Sequence, residues 1–486
     1  MLKKYLGDAP FWRTVLRLAV PIALQNLLIS SFSLVDILMV GQLGDIALSS
    51  VGMAGQWSWL LNMALFGVIS GTSLYISQFW GVRDIDSIHR TFGIALTSSL
   101  LISLIFTAGG FLIPARILWI FNKEEAIIAT GSAYLSQACW SFPAIALFNI
   151  FSTVLRSTEN VKLPLAVSAI TTVLNAVFNY GLIFGRLGMP AMGVRGAAVA
   201  TCISSWAGPV LLLLLSLFRK NMLIAPVSKI FRFSWAQIAT FYRKAAPVML
   251  NESMWGAGTL LYNIIFSNLG YEYYAAVTIH KTFENIAFVF FIGLCNACCI
   301  MVGTAIGSGQ IDRAIRDTRR FIVLVPLISL AVSSCIIVFR TQLVSVFNMG
   351  NAISDLTRDT ACAILTVYAA ELPIRNIPYI SIVGIFRSGG DTTTSMKYDL
   401  VSLWLLSLPC TFLAAYVLRL PFVWVYVVMY VMEDYLKVFL CLHHYRSLRW
   451  IRPVTPEGVR GWASYQENHP GCLRSGKKRS SASYVK

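Results

Sequence analysis

The sequence predicts an all-α integral membrane protein, with twelve transmembrane helices in two six-helix bundles related by a parallel repeat. Three observations carry this reading. The 486 residues are 57% hydrophobic and only 13% charged, whereas a soluble chain of that length needs far more polar surface. Apolar runs recur along the chain, as in "SSWAGPVLLLLLSLF" and "FIVLVPLISLAVSSCIIVF", and about twenty such residues cross a bilayer. The chain also matches itself at a fixed shift of 226 residues.

The spans are centred near residues 28, 66, 102, 143, 173, 206, 255, 292, 330, 372, 407 and 432. The opening "MLKKYLGDAPFWRTVLRLAVP" reads as a basic, amphipathic lead into the first span and not as a cleavable signal peptide. The connecting loops then alternate sides. One set holds only Arg116, Lys123, Arg186, Arg195, Arg340, Arg358 and Arg419, while most of the 39 Lys and Arg residues fall on the other. The positive-inside rule puts the basic side, and both termini, in the cytoplasm of a multi-pass protein of the cell (inner) membrane. The net charge of +17 is then a property of the cytoplasmic face, and DNA or RNA is not needed as a partner. The basic tail, residues 446–486, is expected to be disordered and to face lipid.

The repeat divides the chain into an N-lobe over residues 1–225 and a C-lobe over 226–445. Arg17-Leu18-Ala19-Val20-Pro21 falls on Arg243-Lys244-Ala245-Ala246-Pro247, Leu43-Gly44 on Leu269-Gly270, Gly67 on Gly293 and Gly81 on Gly307. Ile85-Asp86 falls on Ile311-Asp312 and, after a short insertion, Arg156-Ser157 falls on Arg387-Ser388. Six spans return the chain to its starting side, so the lobes share an orientation and an axis along the membrane normal. Two such bundles enclose a cleft that opens to either side as they rock. One chain supplies both, so a monomer suffices.

Several motifs together resemble the multidrug and toxic compound extrusion (MATE) transporters, in their NorM-like branch. They are "LAVPIALQNLLISSFSLVDILMVGQLG" in span one, "FWGVRDIDSIHRTF" after span two and "LRSTENVKLPL" after span four, followed by "NAVFNYGLIFG", "GVRGAAVATCIS" and "FRSGGDTT". The likeness runs over residues 10–445. It implies a two-lobed MATE/MOP-type fold that exports organic, often cationic, drugs or metabolites in exchange for Na+ or H+, with no other cofactor.

Asp36 is the leading site candidate, because an unpaired carboxylate inside a membrane must be neutralised, bind a cation or find a partner. The resemblance implies that the acid of this motif binds the coupling cation. Asn175 and Asn179 stand one turn apart on one helix face, and amide oxygens can complete a cation's shell. Many family members carry an acid where this chain has Asn179, so the charge of the site departs from the family pattern. Thr201 offers a hydroxyl. In the C-lobe, Glu252 follows Asn251 in span seven, one turn before Trp255, which holds the position of the branch's acid. In span ten, Asn376 holds the equivalent acidic position, while Glu371 and Arg375 are spaced to pair with each other. The C-lobe ion or substrate candidates are therefore Glu252, Asn251, Glu371 and Asn376. His280 reads as a solvated interface residue, and Glu433, Asp434 and Lys437 as a local charge network.

Ten cysteines, including "CNACC" at 295–299, lack a ligand pattern and read as packing residues, so no metal beyond Na+ is expected. Two alternatives compete. A flippase for lipid-linked oligosaccharide would need several arginines in the cleft for a pyrophosphate, and the spans offer only Arg375, Lys281 and Lys437 as cations, each near an acid. An intramembrane transferase would need clustered acids for Mg²⁺ or a nucleophile beside a base, and no such motif is present.

Overall fold

The computed structural model describes residues 7–121, 123–345 and 354–470. Among these, twelve long helices each cover one expected centre. They are α1 Ala9–Gly41, α2 Asp45–Val82, α3 Ile85–Leu112, α4 Glu125–Ser157, α5 Lys162–Phe184, α6 Val194–Arg219, α7 Trp235–Leu269, α8 Tyr271–Gly307, α9 Ile311–Ser345, α10 Asp355–Tyr379, α11 Thr392–Val417 and α12 Phe422–Arg446. The described residues contain no strand. Nine of the helices are long and apolar enough to cross a membrane. The other three, α7, α10 and α12, carry Lys244 and Glu252, Glu371 and Arg375, and Glu433, Asp434 and Lys437. Their polarity has a use, since these helices bring charge into the interior.

Local chemistry sets the boundaries. Asp84 starts α3 by accepting from the Ser87 amide, and Ser234 opens α7 in a reciprocal capping box with Gln237. Pro143 follows a 3₁₀ turn, Cys139–Ser141, that interrupts α4. Pro378 lies just before a π-helical stretch, Ile380–Phe386, through which α10 continues to Gly389. A proline removes one backbone donor, and local changes of helical pitch take up the loss. The outer surface is apolar, with Leu104, Ile105, Phe218, Val338, Leu405 and Phe439 all exposed. That arrangement suits lipid and would be an aggregation hazard in water.

The repeat is visible in how the helices touch. A Cβ on Gly67 of α2 would sit 2.8 Å from the Met249 nitrogen on α7, and one on Gly293 of α8 would sit 3.1 Å from the Ala23 nitrogen on α1. Gly67 and Gly293 are repeat mates, and so are Ala23 and Met249. Only hydrogen in place of a side chain allows backbones this close, so the same pair of contacts occurs twice about the pseudo-axis.

The tail departs from expectation. Residues Pro456–Asn468 form a further helix, α13, capped by Thr455, whose side chain accepts from the Gly458 amide. Trp450 is wholly buried. The expectation of disorder from residue 446 is therefore corrected over 447–470, and residues 471–486 lie outside the described residues. The signal in the sequence was "TPEG", a threonine cap followed by proline and glutamate in the first turn.

Candidate functional site

Four of the predicted residues meet in the N-terminal half. Asp36 on α1 is buried; its Oδ1 accepts from the Asn179 amide nitrogen on α5. Asn179 also donates to Asn175 Oδ1 at 3.1 Å. The Thr201 hydroxyl on α6 stands 3.2 Å from Asp36 Oδ2 and 2.9 Å from the Ala197 carbonyl. A hydroxyl has one proton, so one of these oxygens holds it and Thr201 keeps lone pairs for another use. Asn175 Nδ2 and Asn179 Oδ1 are buried without hydrogen-bond partners. Among the described residues no Lys or Arg forms an ion pair with Asp36. Rotating the Asn179 amide end for end would present its oxygen beside the carboxylate, so these groups can close around a small cation.

The second constellation lies in the C-terminal half, around a cleft that is partly open to solvent. Its lining includes Asn251, Glu252 and Trp255 from α7, Glu284 from α8, Arg375 and Asn376 from α10, Arg387, Asp399, and Glu433, Asp434 and Lys437 from α12. Glu252 receives a 2.7 Å hydrogen bond from Arg387. Asn251 donates to Asp399 at 3.0 Å, and Lys437 reaches both Asp399 at 3.0 Å and Glu433 at 3.1 Å. Arg375 pairs with Glu284 at 3.3 Å and lies over the Tyr430 ring. The lining holds five carboxylates against three cations, and Asp434 Oδ2 is buried without a hydrogen-bond partner. The cleft is therefore electronegative when its acids are ionised.

Several expectations change here. Glu371 does not pair with Arg375: it accepts from the Tyr435 hydroxyl at 3.4 Å, away from the cleft lining. Asn376 lines the cleft but donates to Ser329 at 2.8 Å. His280 is wholly buried, with Nδ1 and the Tyr426 hydroxyl 2.8 Å apart, and is not a solvated interface residue. The network of Glu433 and Lys437 extends to Asp399, which sequence reasoning missed. Arg387 was also missed as a cleft residue, because it lies well past the expected span-ten centre near 372, whereas the π-helical stretch carries the helix on to it.

A model of the MatE family matches residues 21–181 and 247–413, and both matches begin at the repeat-mate prolines. The chain is 25% identical over 405 residues to a probable multidrug resistance protein NorM of Thermotoga maritima, covering 82% of this chain and 85% of the relative. Among solved structures it is similar to the Vibrio cholerae MATE transporter VcmN in the bent form, with a TM-score of 0.79 at 18% identity, over 96% of this chain and 99% of that one. It is also similar to a MOP superfamily transporter from Pyrococcus furiosus, for which reverse polarity of the binding pocket is described. There the TM-score is 0.81 at 17% identity, over 91% of this chain and 96% of that one. At these identities the solved structures speak to the fold.

Proposed function

The chain belongs to the MatE family, and on that premise we propose that it exports organic, often cationic, small molecules in exchange for Na+ or H+. It is a multi-pass membrane transporter and not an enzyme. The observation that carries the exchange reading is Asp36, a buried carboxylate surrounded by two amides and a hydroxyl and lacking a basic partner among the described residues. Leaving such a charge uncompensated costs several kcal/mol, on the order of 3 or more at mid-membrane. A proton or a sodium ion removes that cost, so either ion binds in the state that exposes the site.

The electronegative cleft of the C-terminal half supplies the place for a cationic substrate, with Glu252 and Asp434 as the candidate charges. Asp36, Asn175, Asn179 and Thr201 form the coupling site. Exchange follows if the ion binds the outward-open form more tightly than the inward-open form and the substrate does the reverse. Each then weakens the other by the same factor. The distribution of basic residues supports cytoplasmic termini. The flippase reading is weaker, since each cation lining the cleft is engaged: Arg387 with Glu252, Arg375 with Glu284, and Lys437 with Asp399 and Glu433.

The test is efflux of a panel of fluorescent organic cations from proteoliposomes under separately imposed Na+ and H+ gradients. Efflux driven by one gradient names the coupling ion. Efflux indifferent to both, with intact binding of the dyes, rejects the exchange reading.

A further inference from the structure

We infer that the C-terminal segment is a strap that holds the two halves of the transporter closed at one face, and that it must yield before that face opens. The inference rests on the alternating-access reading for its purpose, though not for its geometry. The face concerned is where α2 and α8 cross. A Cβ on Gly81 would lie 2.3 Å from the Thr304 carbonyl oxygen, and one on Gly307 would lie 2.0 Å from that of Gln78. Ser77 is similarly close to Gly303. The ends of these helices therefore form the seam between the halves, and opening on this side requires Gln78 and Gly307 to part.

The strap is fastened to both sides of that seam. On the C-terminal half, the Arg452 amide donates to the Gly389 carbonyl at 2.7 Å, and its guanidinium reaches Asp391 at 2.9 Å. Thr455 Oγ1 donates to the Gly307 carbonyl at 2.6 Å. A Cβ on Gly461 of α13 would lie 2.4 Å from the Gly309 carbonyl oxygen, so this helix sits directly on the α8–α9 turn. On the N-terminal half, the Val454 amide donates to Gln78 Oε1 at 2.8 Å, and Val454 packs against the apolar cluster that includes Val68, Leu74 and Tyr75 of α2.

Gln78 is the junction. It is wholly buried, and its amide nitrogen donates to the Ser388 carbonyl at 2.8 Å while its oxygen takes the Val454 amide. One side chain of α2 is thus tied at once to the end of α10 and to the strap. Withdrawing α2 from the seam leaves the Val454 amide, the Ser388 carbonyl and the Gln78 amide without these partners. Unmade buried hydrogen bonds are expensive, so the strap adds to the stability of the closed face.

The experiment is hydrogen–deuterium exchange of the full chain in lipid nanodiscs, comparing wild type with Thr455→Val and with Gly461→Leu. Thr455→Val removes the bond to Gly307, and Gly461→Leu lifts α13 from Gly309. The expected result is faster exchange, roughly tenfold for a loss of one to two hydrogen bonds, in segments 77–84 and 304–310 on opposite sides of the seam, with segments around Asp36 and Glu252 unchanged. Faster exchange confined to 456–468 would overturn the proposal, because the strap would then be packing on one half only. A uniform increase over all helices in both variants would overturn it too, making the segment a general brace. Exchange needs no transport, so a wild type that moves no substrate would reject the proposed function and leave this result standing.

Discussion

Arg387 and Glu252 meet at 2.7 Å beside the cleft, one from the end of the extended α10 and the other from the middle of α7. Arg387 is almost wholly buried and lies over the Phe66 ring of α2. The pair therefore links two helices of one half and touches the other half.

Breaking one partner of such a pair strands a buried charge. Glu252→Gln and Arg387→Met should each destabilise the protein by about 3 kcal/mol or more, whereas the double variant should lose much less than the sum. Thermal denaturation in detergent reads the cycle. Additive losses would show that the two charges do not depend on each other.

Asn179→Asp places a second carboxylate next to Asp36. With Na+ as the coupling ion, it should then bind roughly tenfold more tightly, the order expected for one added unit charge a few ångströms away in a partly polar site. Asn179→Ala should weaken binding. Calorimetric titration of Na+ into purified protein checks both, and unchanged binding in both would remove Asn179 from the site.

Asp391 lies outside the spans, between α10 and α11. Burial alone would raise its pKa, but the hydrogen bond with His444 and the charge of Arg452 outweigh burial and hold it below the usual carboxylate value. A depressed carboxylate adds stability above its unfolded pKa of about 3.9 and loses it as pH falls through the folded value. Protection of the strap from proteolysis should therefore be constant from about pH 8 to 5 and fade only below about pH 4. Loss of protection between pH 7 and 6 would mean that Asp391 is not what anchors Arg452.

Gly307→Ala should force α2 and α8 apart, since the new Cβ would lie 2.0 Å from a carbonyl oxygen. Gly52→Ala makes the control, because nothing lies within 4 Å of a Cβ there. A helical Gly→Ala change in open space gains up to about 1 kcal/mol, so the control should be neutral or stabilised. Equal melting temperatures for the two variants would contradict the close seam.

The N-terminal candidate site was legible because its signals are local. Asp36 stands out as a lone charge in an apolar span, and Asn175 and Asn179 share a helix face by spacing alone. The C-terminal site was harder. Glu252 was visible, but its partner Arg387 is 135 residues away and lies beyond a π-helical stretch that a straight 3.6-residue reading ends too early. Glu371 and Arg375 have the spacing of a helical pair, yet Glu284 on the neighbouring helix competes successfully for the guanidinium. His280 is held by Tyr426 across the bundle, a contact that no one-dimensional pattern shows. For the tail, net charge outweighed cap chemistry in the reading, although the two glycines at 458 and 461 are what let α13 dock.

Whether Asp36 couples ion entry to export is tested most directly by gradient-driven efflux of a fluorescent organic cation from proteoliposomes containing wild type or Asp36→Asn. Wild type should respond to an inward Na+ or H+ gradient, and Asp36→Asn should lose that response while still binding the dye. Full gradient-driven efflux by Asp36→Asn would rule out coupling through Asp36 and make the buried carboxylate a structural group.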